Sequence, residues 1–291
     1  MKEYIVKFKN KIKRVYGKFS HFNINVWDKN ETISYVLKNH SSVLRFGDGE
    51  FNIINGENIV YQNYDGILAK RLHSLILRES NEKLVVCLPD VFHKMNRYNK
   101  NAQNFYNQSF FWKNRKILKE IEKKHNWYGS TFISRPYIDL QKKKGIDLYF
   151  SKLKKMWDSK DLLIVEGKFS RSGEGNDLFE NANSIQRIIC PPKNAFSKIK
   201  NIEEAIVTFS TNRLVLLMLG PTAKIIVDDL KYKNIQMIDL GHIDSEYEWY
   251  KMGAKSKIPV PNKHTAEIKC TEEIKLKSDK KFDNQIIKII Q

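Results

Sequence analysis

The chain has 291 residues, 41% of them apolar, with 51 Lys plus Arg against 33 Asp plus Glu and a formal charge of +18. That length and apolar content suffice for a full hydrophobic core and exclude a purely disordered chain, while the charge draws polyanions to the surface: nucleic acid, anionic lipid or phosphate-bearing metabolites. The cysteines Cys87, Cys190 and Cys270 lie far apart, which argues against a zinc site and for a reducing cytoplasm, and neither a membrane-spanning apolar window nor a secretory leader is visible.

In chain order, residues 1–27 form a basic segment in which Tyr4, Ile5, Val6 and Phe8 begin an amphipathic pattern among lysines. Such a helix suits the inner face of an anionic membrane or packing on the domain. A single folded domain is expected over 28–270. Residues 271–291 form a lysine-rich tail whose late isoleucine run reads as a peripheral helix.

Within the domain, short apolar runs at 43–46, 84–88, 130–133, 162–166, 185–190, 224–228 and 236–240 end in Gly, Pro or Asp and read as buried parallel strands. Amphipathic stretches at 67–79, 105–124, 148–157, 177–183, 202–219 and 246–252 read as helices. The alternation predicts an α/β fold, a Rossmann-like open, mostly parallel sheet flanked by helices, with ligands bound beyond the carboxyl ends of the strands.

The polar motifs fall at those ends. Arg45 precedes a glycine turn, Gly47-Asp48-Gly49-Glu50. Its two acids read as a clamp for a hard divalent cation, Mn²⁺ or Mg²⁺, shared with substrate phosphates; an ordinary turn is the competing reading. Arg135 suits either a phosphate contact or an exposed turn. The loop 166–177 holds Lys168, Arg171, Ser172, Gly173 and Asn176 ahead of an expected helix start. Glycine-freed N–H groups, a helix N-terminus and two cations would cradle a diphosphate there, although the spacing matches no established phosphate loop. The turn holding Thr222 reads as a plain helix stop, with donation from Thr222 to a ligand as the competing reading. Last, His242 and Asp244 supply a metal ligand or a general base, while Asp244, Ser245 and Glu248 equally fit a capping box.

The ordered blocks Arg-Phe-Gly-Asp-Gly-Glu-Phe (45–51), Ser-Arg-Pro-Tyr (134–137), the loop 165–179, Cys-Pro-Pro-Lys-Asn-Ala-Phe (190–196), Leu-Gly-Pro-Thr-Ala (219–223) and Asp-Leu-Gly-His-Ile-Asp-Ser-Glu-Tyr-Glu-Trp (239–249) resemble the GT-D-type glycosyltransferases of Gram-positive bacteria. The resemblance spans about 28–265. It implies a GT-D fold, a UDP-sugar donor such as UDP-glucose or a related hexose, a divalent metal tied to Asp48 and Glu50, and a protein- or lipid-linked glycan acceptor in surface-polysaccharide or adhesin glycosylation. Sugar transfer leaves negative charge on the departing diphosphate, so Asp48, Glu50, Lys168 and Arg171 are expected to stabilise it, His242 and Asp244 to serve as acceptor-side base or further metal ligand, and Asn194 to bound the uracil, with Phe196 either beside it or, the better reading, packed in the core. A homo-oligomer is compatible with this reading.

Two rivals stand beside it. Pro89-Asp90 and Glu166-Gly167-Lys168 spell the Pro-Asp and Glu-x-Lys elements of metal-dependent nucleases, for which the basic charge is suited. A noncatalytic reader of polyanionic surface polymers is the other.

Overall fold

The computed structural model describes residues 22–265, 268 and 278–291. Residues 1–21 of the basic segment and 271–277 of the tail lie outside them. Among the described residues nine strands build one sheet: β1 (Asn25–Val26), β2 (Ser42–Arg45), β3 (Leu84–Leu88), β4 (Trp127–Ser130), β5 (Asp161–Gly167), β6 (Ser184–Cys190), β7 (Leu214–Met218), β8 (Met237–Asp239) and β9 (Ile286–Ile289). Their order is β1-β4-β3-β2-β8-β7-β5-β6-β9, and each neighbouring pair is parallel.

The helices are α1 (Lys29–Asn39), α2 (Asp48–Ile54), α3 (Gly66–Ile76), α4 (Lys100–Phe105), α5 (Phe111–Lys113), α6 (Arg115–Glu122), α7 (Ile146–Lys154), α8 (Ile199–Phe209), α9 (Pro221–Asp229), α10 (Ile243–Lys251) and α11 (Lys280–Asp283). Strand side chains alternate between two helix layers, as a pleated sheet covered on both faces requires. Leu44, Val86, Leu163, Val165 and Leu217 pack with α2, α3, α8 and α9. Val43, Val85, Ile164, Leu216 and Ile238 pack with α1, α7 and α10. From β2 the chain builds outward to β3 and β4 on one side, while β8 closes the other side of β2. The crevice beyond the ends of β2 and β8 is therefore the topological switch point, where open α/β sheets bind ligands.

Several local expectations change. Residues 214–218, read as the end of a helix, are strand β7, and residues 224–228, read as a strand, lie in α9. Every residue of α9 from Pro221 to Val227 is buried, so it carries no amphipathic stripe, and periodicity alone does not separate such a helix from a strand. Pro221 at its first turn and Gly220 at its cap mark its start. Residues 177–183 form turns rather than a helix. The stretch 130–133 is the end of β4 followed by a tight 3₁₀ turn. Residues 105–124 are broken by a π-helical turn at Tyr106–Phe110. The isoleucine run near the C-terminus, read as a helix, is edge strand β9 paired with β6. Among the described residues no helix is long and apolar enough to cross a membrane.

Candidate active site

Arg45 ends β2 and Asp239 ends β8, side by side because Val43 and Ile238 are in register. The buried Arg45 donates through Nε to the Asp239 carbonyl at 2.7 Å and through Nη1 to the Thr131 carbonyl at 3.2 Å, and its Nη2 lies 3.4 Å from Asp239 Oδ1. Lys224, from the first turns of α9, reaches Asp239 Oδ2 at 2.8 Å and Glu50 Oε1 at 2.7 Å. Two cations and two carboxylates thus neutralise one another below the sheet edge. Burial acts to raise the Asp239 carboxyl, but Lys224 and Arg45 outweigh it and hold it below the usual carboxylate range.

The Asp-x-Glu element sits in the first turn of α2. Residues two apart on a helix do not face the same way. Asp48 is accordingly exposed and Glu50 buried. Glu50 Oε2 accepts the Gly47 N–H at 2.8 Å while Oε1 takes Lys224, so both its oxygens are occupied within the protein. The expected two-carboxylate clamp is thus divided: Asp48 faces the rim, and Glu50 latches α2 to α9.

Two glycines shape the adjoining walls. Gly220 (φ +51°) and Gly241 (φ +50°) follow β7 and β8 at positive φ; a Cβ would meet the Tyr61 ring at 2.6 Å in the first case and Arg45 Nη2 at 2.0 Å in the second. Glycine is needed at both for conformation and for space. The Tyr61 ring, resting on Gly220, stands edge-on to the His242 imidazole, with centroids 5.8 Å apart.

Above this floor three hollows run together. A central cleft of about 390 Å³ is lined by Arg45, Asp48, Glu50, Arg135, Lys224 and His242 among others. On one side, through Tyr61, Gly220, Gly241, His242 and His264, it opens into a narrow slot of about 70 Å³ bounded by Phe169, Ser170, Pro191 and Pro192. On the other, through Gly47, Asp48, Thr131 and Arg135, it opens into an outer cleft of about 330 Å³ that reaches Phe105, Tyr106 and Lys255.

Of the residues singled out in the sequence, Arg45, Gly47, Asp48, Glu50, Arg135 and His242 meet in the central cleft. The others do not line it. Lys168 is exposed beside the Phe169 ring. Arg171 is clasped by Glu174 and stacked on Phe282. The N–H groups of Ser172 and Gly173 are spent on the Glu166 and Asp244 carboxylates at 2.7 Å each, and Asn176 donates to Asp244 and Glu248. With no helix following, the expected diphosphate cradle is instead a strut bonded to the protein's own acids. Asp244, expected as a base, is buried and held by Lys263 at 3.0 Å. Asn194 caps the Asn63 N–H at 2.8 Å and so supports the Tyr61 loop, while Phe196 packs on the core. Thr222 is fully buried, and its hydroxyl has no hydrogen-bond partner among the described residues.

The nuclease pattern fails on topology. Asp90 follows β3 and Glu166 ends β5, four strand spacings or roughly 19 Å apart. Asp90 is buried against Tyr98, Ser130 and Arg97, and Glu166 is buried against Arg187. Neither carboxylate shares a site with the other.

Two buried acids of α10 titrate high. Burial pushes Asp244 up against the pull of Lys263, and burial pushes Glu246 up to about 7, with Arg135 opposing. Burial also lowers His264, whose ring lines the slot and the central cleft. Sequence reasoning passed over Lys224, Tyr61, Gly241, Lys263 and His264. The only early signal for Lys224 was a lone cation inside an apolar run.

A charged cleft at the switch point of an all-parallel sheet defines a ligand-binding α/β protein of the doubly wound class. Residues 43–268 match the family described as glycosyltransferase GT-D fold, and the chain belongs to that family. It is 49% identical over 264 residues to a probable glycosyl transferase Gly of Streptococcus gordonii, covering 91% of this chain and 38% of that protein. It is 46% identical over 270 residues to the glycosyltransferase GlyD of Streptococcus pneumoniae serotype 4, covering 91% of this chain and 32% of that protein. The chain therefore spans about a third of the length of these curated relatives. It superposes on a structure described as a new glycosyltransferase from Streptococcus sanguinis with a TM-score of 0.89 and 48% identity, over 92% of this chain and all of that one. A second solved domain, described as highly conserved and as having a distinct glycosyltransferase fold, gives a TM-score of 0.85 at 49% identity over 97% of this chain and 100% of that chain.

Proposed function

We propose that the chain transfers a hexose such as glucose from a UDP-sugar to a glycan acceptor, with Mn²⁺ or Mg²⁺ at the diphosphate, in building cell-surface polysaccharide or adhesin glycans on the cytoplasmic side. One observation carries this reading: from the slot through its junction into the central cleft, the joined hollows change chemistry in the order in which a nucleotide sugar does. The slot between Tyr61, Phe169 and Pro191-Pro192 is narrow and largely apolar, as a stacked base requires. At its junction with the central cleft, α9 and α10 begin at Gly220 and His242, so their N–H ends favour an anion there. The central cleft then leaves room for the sugar.

The chain's own donors fit a divalent cation through one carboxylate. Among the described residues no three His, Cys, Asp or Glu side chains gather into a protein-only cage. Cations of the Mg²⁺ type, however, are commonly held by one or two carboxylates plus substrate phosphates. We assign that carboxylate to Asp48, exposed on the rim of the central cleft, and keep the buried Glu50 as a latch between helices. When bound, the cation supplies positive charge to the leaving diphosphate, which Arg45 and Lys224 supply less readily because Asp239 and Glu50 already neutralise them. His242 lines the slot and the central cleft but not the outer cleft, which favours a contact with the diphosphate over acceptance of the acceptor's proton.

The test is calorimetric titration of UDP with and without Mn²⁺, alongside a screen of radiolabelled nucleotide sugars for slow hydrolysis. Tight binding of UDP that requires Mn²⁺ and drops at least tenfold in Asp48→Asn, with thermal stability unchanged, is the expected result. Equal UDP binding by wild type and Asp48→Asn removes the metal assignment. Absence of binding and hydrolysis across the nucleotide-sugar panel removes the reading altogether.

A further inference from the structure

The outer cleft has a built wall that donor binding leaves unused. It opens from the central cleft across Gly47, Asp48, Thr131 and Arg135, so a molecule in it meets the donor at Asp48. Its far wall is a helical arm, α4 through α5, interrupted by the π turn at Tyr106–Phe110. One extra residue in a helical turn redirects the side chains beyond it, and such turns recur at functional sites. Here Phe110 and Phe111 anchor the arm in the core, with 2% and 4% exposure. Phe105 instead stays 41% exposed on the cleft side, its ring braced edge-on by Tyr106 at 5.1 Å. Tyr106 lines the same cleft as Asp48, so the arm and the donor-side rim face one space. Exposed Asn101, Lys255 and Ser256 complete a polar rim.

We propose that this outer cleft is the acceptor subsite, and that it takes the terminal sugar of a glycan, with the apolar face of the sugar ring on Phe105 and its hydroxyls on the polar rim. The assignment rests on the proposed donor site. The volume, about 330 Å³, is at the small end for ligand pockets and suits one sugar ring rather than a long oligosaccharide. A peptide acceptor fits less well. The strands beneath, β3 and β4, are paired on both sides within the sheet, so no free edge is offered to an extended backbone.

The experiment uses the full chain with Mn²⁺ and the nucleotide sugar that it hydrolyses, with p-nitrophenyl hexosides and N-acetylhexosaminides as acceptor probes and a serine-rich peptide as competitor. Phe105→Ala is expected to raise the acceptor KM roughly five- to tenfold while the donor KM stays within twofold, and Phe105→Trp to restore the acceptor KM. Because Phe105 is partly exposed, its truncation opens no closed core cavity, and a circular dichroism melt verifies folding. Three outcomes overturn the subsite: an acceptor KM indifferent to Phe105→Ala, donor and acceptor KM rising together, or wild type that hydrolyses donor yet neither uses a glycoside nor shows saturation transfer to one by NMR. Preferential use of the peptide also overturns it. Failure to bind or hydrolyse any nucleotide sugar is a different result, since that removes the donor reading on which the subsite stands.

Discussion

Glu50 and Lys224 close a 2.7 Å ion pair between α2 and α9, the helices that follow β2 and β7, and Lys224 carries the pair onward to Asp239 at 2.8 Å. Removing one member of a buried pair leaves its partner uncompensated, at a cost of about 3–5 kcal/mol. Lys224→Met is therefore expected to lower the melting temperature by roughly 5–10 °C, because it strips Glu50 of its cation and leaves Asp239 with Arg45 alone. Glu50→Gln keeps an acceptor for the Gly47 N–H and costs less. In a thermal double-mutant cycle the two changes together should cost less than their sum by more than 1 kcal/mol, and strict additivity would show that the pair does not join the helices.

Gly220 and Gly241 separate two effects that a metal-site variant would mix. In Gly241→Ala the new methyl falls on the Arg45 guanidinium at a positive φ, so the buried charge set must open; the protein is expected to lose more than 2 kcal/mol of stability. In Gly220→Ala the methyl falls on the Tyr61 ring, which belongs to a loop and can swing away. Stability should fall less, by about 1 kcal/mol, while UDP affinity drops at least tenfold as the slot loses a wall. Denaturant titration and calorimetry on both variants check the contrast, and a Gly220→Ala protein that binds UDP normally would remove Tyr61 from the base site.

Glu246 supplies a pH dependence with a definite sign. Its Oε2 accepts N–H groups of Tyr137 at 2.9 Å and Ile138 at 3.0 Å, and Oε1 faces Arg135 Nε at 4.0 Å without a hydrogen bond. Burial is the main cause that lifts its carboxyl from 4.5 to about 7 in the fold. Between these values the native state binds more protons than the unfolded chain, so this group makes the protein less stable as pH rises through the window. At about 1.4 kcal/mol per pH unit the loss amounts to a few kcal/mol. Glu246→Gln should abolish it: the wild-type melting temperature, measured relative to the variant, falls from pH 5 to pH 8. A constant difference over that range would mean that Glu246 ionises in the fold as it does in the open chain.

How far the sequence foretold this arrangement depends on what each residue's neighbours in the chain reveal. Strands β2, β3, β5 and β6 were legible because short apolar runs stopped by Gly, Pro or Asp have few other uses. The exchange of β7 and α9 was not, since a helix buried on all sides shows the same run of Ile and Val as a strand. Arg45, Asp48 and His242 meet in one cleft because strand ends at a switch point converge. Lys168 and Arg171 lie outside the central cleft, for their loop is tied down by Glu166 and Asp244, contacts across the fold that no local spacing encodes. Tyr61 was missed for the same reason: its place beside His242 depends on Asn194, which accepts the neighbouring Asn63 N–H and donates its own N–H to the Tyr61 carbonyl.

Lys263 gathers three segments at one buried ammonium. Its Nζ lies 3.0 Å from Asp244 and 3.1 Å from Glu248 on α10, and Asp244 also accepts from Gly173 and Asn176 of the 166–177 loop. The next residue, His264, donates its backbone N–H to the Phe169 carbonyl at 2.9 Å and lines both the slot and the central cleft. Lys263→Met keeps the side chain's bulk but leaves Asp244 buried without its cation, and the protein should lose about 3 kcal/mol or more of stability. Adding Asp244→Asn removes the stranded charge, so the double variant should recover most of that loss, because deleting both partners costs far less than deleting one. Donor KM behaves differently. It should rise about tenfold in both variants, since neither restores the staple that sets His264 against the slot. Equal donor KM in wild type and both variants, measured at the same temperature well below melting, would show that Lys263 serves the fold alone.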